Sequence, residues 1–338
     1  MSTNELKQTV IEIAARGKGI LAADESSGTI AKRFASINLD STEESRRDYR
    51  EMLFTTPGLA DYISGVILYE ETLGQKAQDG RLLADILRKS NIIPGIKVDK
   101  GLVPLCATDA EKVTQGLDGL PERLITYKEM GARFAKWRAV FNITDKKPSE
   151  SAIHTNAHLL ARYAAICQAA GIVPIVEPEV LMEGAHDIER CKQVTETVLH
   201  IVFDHLSKHK VILEGMILKP NMVTAGDRAS VQGTVEEVAA ATLNVLLRTV
   251  PAAVPSINFL SGGQSAELAT AHLNEMHKLM AHLPWNLSFS YGRALQAPCL
   301  EAWQGKAQNI TLAQNSLLKR AKLNSLACFG HYRDNMDI

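Results

Sequence analysis

Short apolar runs that stop abruptly in polar or charged residues recur eight times along the chain. They are GILAADES (19–26), SGVILYE (64–70), IPGIKVDK (93–100), RFAKWRAV (133–140), VPIVEPE (173–179), GMILKP (215–220), INFLSGG (257–263) and LSFSYGRAL (287–295). Longer amphipathic stretches separate most of them, including 151–171, 187–209, 234–250 and 264–283. A brief apolar run bounded by polar residues reads as a buried strand, and the longer stretches read as helices. Strand followed by helix, repeated, implies parallel strands with helices outside. Eight such strands predict an α/β fold, a single (β/α)8 TIM barrel over residues 1–338 with extra helices at the N- and C-terminal ends. No linker, low-complexity block or charge run interrupts the alternation.

In such a barrel the working residues lie at the C-terminal ends of the strands. The polar run-ends supply Asp24, Lys97 and Asp99, Lys136 and Arg138, Glu177 and Glu179, and Lys219. Members of each pair are two apart, so both face one side of their strand, while Val98, Trp137 and Pro178 face the helix layer or the turn. Lys219 is the least expected of these. In EGMILKPNMV (214–223) it follows Met216, Ile217 and Leu218 and precedes Pro220, which puts an ammonium at the lip of an apolar interior.

A lysine amine attacks a carbonyl only when neutral, a state held by roughly one molecule in 2,500 at pH 7 for an ordinary pKa of about 10.4. Burial and a cationic neighbour lower that pKa, and Lys136 and Arg138 are the expected neighbours. This is the recipe for a Schiff-base lysine, whose protonated imine stabilises a carbanion on the adjacent carbon. Glu177 and Glu179, crowded together, and Asp24 are candidate bases. The opposing reading is a structural ion-pair network, although buried pairs rarely gain net stability.

The last two runs point to phosphate. SGGQ (261–264) is expected to open a helix with an anion nest, and SYGR (290–293) adds a glycine and a guanidinium. Ser261, Gly262, Gly263, Ser290 and Arg293 therefore form one candidate phosphate pocket, and Lys97 near Ser26 and Arg33 forms a second. A substrate phosphorylated at both ends would match. LSGGQ (260–264) also copies a transporter ATPase signature, but no GxxxxGK[ST] accompanies it, and no GxGxxG is present. His154/His158 and His205/His209 have i, i+4 spacing without an HExxH glutamate, and are read as solvated outer helix faces.

Composition narrows the class. Charged residues make up 22% and hydrophobic ones 46%, with a net charge of −1, so no broad basic face invites nucleic acid or acidic lipid. Five scattered cysteines without CxxC pairing suggest reduced thiols. The first residues lack a signal-like apolar block, and no apolar run approaches membrane-spanning length. The expectation is a soluble, cytoplasmic protein with no nucleic-acid or membrane partner.

Together LAADES, GIKVDKG, TQGLDGL, AKWR, PIVEPE, LKPNMV, LSGGQS and SFSYGRALQ resemble class I fructose-1,6-bisphosphate aldolase, over about Gly17 to Leu326. The resemblance implies a metal-independent, cofactor-free barrel enzyme, commonly a homotetramer, acting on a phosphorylated sugar. It implies that Lys219 is the Schiff-base lysine, that Glu177 shuttles protons with Glu179 as its hydrogen-bonded partner, and that Asp24 deprotonates the substrate hydroxyl. Lys136 and Arg138 match the basic pair that tunes the lysine. The pocket of Ser261, Gly262, Gly263, Ser290 and Arg293 matches that for the ketose-end phosphate, and Ser26, Arg33 and Lys97 lie near the other. Alternatives are a Schiff-base aldolase for another ketose such as sedoheptulose 1,7-bisphosphate or fructose 1-phosphate, a non-catalytic scaffold, and a metal-dependent aldolase, which would want histidines at strand ends. Animal members continue into a tail ending in tyrosine. Here Tyr332 is followed by RDNMDI, expected to be polar, mobile and unable to dock.

Overall fold

The computed structural model describes residues 3–337. In chain order its strands are β1 Gly19–Ala23, β2 Ile63–Leu68, β3 Ile93–Lys97, β4 Leu102–Pro104, β5 Lys112–Thr114, β6 Phe134–Phe141, β7 Val173–Val180, β8 Ile217–Leu218, β9 Ser256–Phe259 and β10 Asn286–Tyr291. Eight of them close a barrel in the order β1-β2-β3-β6-β7-β8-β9-β10, every pairing parallel. All eight fall on the predicted runs. The antiparallel pair β4–β5 was not foreseen, because its residues are largely exposed and lack a long apolar run. β8 is shorter than its run, since a 3₁₀ turn at Leu213–Gly215 precedes it and Pro220 follows.

The helices are α1 Thr3–Ile13, α2 Ser27–Ala35, α3 Glu43–Phe54, α4 Glu70–Gly74, α5 Leu83–Lys89, α6 Leu120–Glu129, α7 Glu150–Ala169, α8 Ile188–Lys208, α9 Val235–Thr249, α10 Ala266–Leu279, α11 Arg293–Trp303 and α12 Ile310–Ala327. Side-chain caps begin three of the longer ones: Ser149 for α7, Asp187 for α8, and a Thr234/Glu237 capping box for α9. Among the described residues no helix is long and apolar enough to cross a membrane.

The core has two parts. The larger lies between strands and helices, where Trp137 stacks on Tyr163 of α7 with ring centroids 5.5 Å apart, and where Val98 is buried. The smaller fills the barrel itself. Ile20, Ile67, Ile93, Phe134, Val173, Ile175 and Ile217 point inward, and α1 seals their end with Leu6, Val10 and Ile13. Gly95 leaves room for the Phe134 ring, since a Cβ there would lie well inside 3.0 Å of a ring carbon. The interior is thus packed solid up to the level where the ionic residues begin.

The C-terminal segment departs from expectation. Tyr332 is buried, its amide donates to Asn274 Oδ1 at 2.9 Å, and its hydroxyl donates to Asp337. Asp337 also receives Arg320, a buried cation of α12 that needs a carboxylate. That need is what docks a polar segment, so residues 333–337 are held through Asp337 rather than free, while Ile338 lies outside the described residues.

Candidate active site

The barrel mouth opens into a cleft of about 460 Å³ whose wall includes all the ionic run-ends except Asp99. The register explains the convergence. β6 and β7 pair Arg138 with Glu177 and Val140 with Glu179, while β3 and β6 pair Lys97 with Lys136. Inward-facing residues from neighbouring strands therefore arrive at matching heights. Lys219 extends the same ladder, its amide donating to the Val176 carbonyl at 2.8 Å.

At the centre, Glu177 bridges two ammonium groups. Its Oε1 lies 3.2 Å from Lys219 Nζ and its Oε2 lies 3.3 Å from Lys136 Nζ. Lys136 Nζ also lies 2.7 Å from Asp24 Oδ2. Lys219, Lys136 and Glu177 are each only 4% exposed, which strengthens every charge interaction among them. Burial alone favours a neutral Lys136 amine, but the carboxylates of Asp24, Glu177 and Asp99 outweigh it and push the amine well above the usual lysine range. Burial likewise opposes an ionised Asp24, yet Lys136, Lys219 and Lys97 hold its carboxyl well below the usual carboxylate range. Lys136 thus stays cationic and Asp24 anionic at neutral pH. Glu177 Oε2 is buried without a well-aligned hydrogen bond, leaving an acceptor beside Lys136.

Two expectations about this centre are corrected. Glu177 and Glu179 do not share a hydrogen bond, because each finds a cation: Glu177 takes the two lysines and Glu179 takes Arg138 Nε. Arg138 accordingly faces Glu179 rather than Lys219. Burial pulls its guanidinium down, Glu179 more than offsets this, and the result lies above the usual arginine range. It sits two residues nearer the rim than Lys136, so the cationic neighbour closest to the Lys219–Glu177 pair is Lys136 alone.

The anion-binding ends flank this centre. On one side Ser261, Gly262, Ser290 and Arg293 line the cleft, with Arg293 donating to the Gly262 carbonyl. Gly262 has φ +53, a left-handed turn that favours glycine. Ser290 Oγ is buried without a partner, a donor and acceptor left for a ligand. Two details differ from expectation. Gly263 packs toward Met182 and lies off the cleft wall, and SGGQ forms a turn before the helix, since α10 starts at Ala266 with Ser265 as its cap.

On the other side stand Ser26, Arg33 and Lys97. Lys97 Nζ is tied to Asp99 Oδ1 at 2.7 Å, and Arg33 is tied to Glu25. Glu25, Thr29, Lys32 and Gly292 also line the cleft and were missed. The spacing of Ser26, Thr29 and Arg33 on one face of α2 was the available signal. Glu25 had none. It is buried among Arg33, Gln296 Nε2 at 2.8 Å and the wholly buried Arg50 of α3, the last two reached across long sequence separations.

The histidines lie outside the cleft. They remain on the outer helix faces, but the two pairs meet across α7 and α8 instead of pointing separately to solvent. Among the described residues, His158, His205 and His209 form the only cluster of three or more potential metal ligands.

Comparison with known proteins agrees along the whole length. The family model for fructose-bisphosphate aldolase class-I matches residues 5–337. The chain is 55% identical to the cytosolic fructose-bisphosphate aldolase 4 of Arabidopsis thaliana, covering 99% of this chain and 86% of that one. It is 57% identical to fructose-bisphosphate aldolase 1 of Toxoplasma gondii, covering 97% and 91% respectively. A solved structure of the Plasmodium falciparum aldolase, in complex with TRAP and a small-molecule inhibitor, superimposes with a TM-score of 0.96 at 54% identity, covering 98% of this chain and 95% of that one.

Proposed function

This chain belongs to the class-I fructose-bisphosphate aldolase family, and from that premise we propose how its cleft works. The protein reversibly cleaves fructose 1,6-bisphosphate to dihydroxyacetone phosphate and glyceraldehyde 3-phosphate. The observation that carries the assignment of residues is the unbroken chain Asp24–Lys136–Glu177–Lys219, placed between two clusters of cationic and serine side chains.

In the reading we favour, the Lys219 amine adds to the ketose carbonyl carbon and Glu177 moves protons as the carbinolamine loses water. Lys136, cationic between Asp24 and Glu177, holds the Glu177 carboxylate beside the attacking amine. Asp24, anionic because Lys136 holds it so, takes the proton from the C4 hydroxyl. The C3–C4 bond then breaks, its electron pair flows into the iminium to give an enamine, and the aldehyde product leaves. Protonation of the enamine carbon and hydrolysis return Lys219. The imine supplies the electron sink for which other aldolases use a divalent ion.

Ser261, Gly262, Ser290 and Arg293 are the residues we assign to the ketose-end phosphate, and Ser26, Arg33 and Lys97 to the other. The cytosol is the compartment we infer, supported by five unpaired cysteines and by the cytosolic naming of the Arabidopsis relative. A homotetramer is inferred from the family resemblance alone, and sedimentation velocity tests it. Borohydride reduction with dihydroxyacetone phosphate, followed by peptide mapping, tests the mechanism: the adduct is expected on Lys219, and an adduct on Lys136 or Lys97 would overturn the assignment. A coupled assay against sedoheptulose 1,7-bisphosphate and fructose 1-phosphate ranks the substrates.

A further inference from the structure

The helix wall carries a second concentration of ligand chemistry. α7 and α8 pack side by side; α7 carries His154 and His158, and α8 carries His205 with His209 as its C-cap, each pair four residues apart. His154 Nδ1 lies 3.2 Å from His205 Nε2, and His158 Nδ1 lies 3.2 Å from His209 Nε2. The central pair is close as well, with the His158 and His205 ring centroids 6.0 Å apart. One ring nitrogen from each of His158, His205 and His209 falls within 4.8 Å of the other two.

We propose that His158, His205 and His209, with His154 in reach as a fourth donor, form a binding site for one borderline divalent transition-metal ion such as zinc, clipping α7 to α8. Two tetrahedral ligands with Zn–N bonds of 2.0–2.1 Å stand about 3.3 Å apart, close to the spacing already made by two of the nitrogen pairs. His158 is exposed and His205 and His209 are half-buried, so an ion has a route in and the rings have room to turn.

The surroundings suit a neutral imidazole site. Glu150 lies 3.9 Å from His154 Nε2, the place of the carboxylate that commonly orients a metal-bound histidine from outside. Lys208, on the same helix, is paired with Asp204 at 2.5 Å. An all-imidazole donor set favours zinc, copper or nickel over calcium or magnesium. The site lies in the helix layer, apart from the cleft, so it carries structural rather than chemical weight.

Isothermal titration of chelator-stripped full-length protein with zinc chloride tests the proposal. One saturable site per chain is expected, with affinity lowered at least about tenfold in H158N/H209N and in H205N/H209N. Cobalt should give tetrahedral absorption bands, and zinc should raise the Tm of the wild-type chain but not of the double variants. Turnover of fructose 1,6-bisphosphate should be the same with and without zinc. Protection of His158 and His209 by zinc from diethylpyrocarbonate, mapped on the wild-type protein, requires no variant to fold. Non-saturating uptake, an isotherm unchanged in the double variants, or no protection overturns the site.

Discussion

The two ends of the barrel are built from the same strands and have opposite chemistry. Along β7 the inward-facing positions read Val173, Ile175, Glu177 and Glu179, and along β6 they read Phe134, Lys136 and Arg138. A single step of two residues takes each strand from a sealed hydrocarbon plug to a field of paired charges. Below that step, packing supplies stability. Above it, ion pairs hold reactive groups in place at little or no net gain in stability. One strand can thus serve both ends because alternation keeps its function-bearing and its packing residues on one face but at different heights.

Exchanging the two roles breaks the comparison most sharply. Lys219→Met should lower turnover by at least about 10⁴-fold while leaving the melting temperature near wild type, since Glu177 keeps Lys136 as its partner. Glu177→Gln should slow turnover by about 10²- to 10⁴-fold. Coupled assays and thermal melts on the same samples read both effects, and a large stability loss in Lys219→Met would mean the mouth is a structural network first.

Phe134→Ala attacks the other end. It should cost about 3–5 kcal/mol of folding stability, with activity per folded molecule retained well below the melting point. Urea unfolding alongside initial rates checks it. A loss of rate without a loss of stability would show that the plug tunes the mouth.

A smaller effect separates the ends by pH. His272, in α10 behind the 261–264 turn, donates a 2.6 Å hydrogen bond from Nδ1 to Gln264 Oε1, and burial pushes its pKa down to about 4. Above the unfolded value of about 6.5 the ring is neutral in both states and contributes nothing to pH dependence. As pH falls from there toward 4, the unfolded chain takes up a proton that the folded one refuses, so stability drops by up to about 3 kcal/mol. His272→Gln should flatten that slope between about pH 6.5 and 4, as urea midpoints across the range will show. Phe134→Ala should leave the slope unchanged.

The smallest effect concerns the docked C-terminal segment. Deleting 333–338 leaves Arg320 without Asp337 and should destabilise the chain by about 1–3 kcal/mol, with kcat per folded molecule nearly unchanged. A steep fall in kcat, with circular dichroism intact, would instead place this segment in the reaction.

Much of this was legible in the sequence. Eight apolar runs located eight barrel strands, and the charges at the run-ends named Lys97, Lys136, Arg138, Glu177, Glu179 and Lys219 for the mouth, because strand period and chain-breaking residues are local properties. What each charge pairs with was not local. Glu179 takes Arg138 instead of Glu177, Glu25 meets Gln296 and Arg50, Arg320 captures Asp337, and the histidines of α7 meet those of α8. Those choices depend on the register of strands and the packing of helices brought together from distant parts of the chain, β1 beside β10 among them. A buried charge takes whichever counter-charge the closed barrel delivers, so the sequence by itself determined where the ionic residues stand, and only the tertiary structure decided their partners.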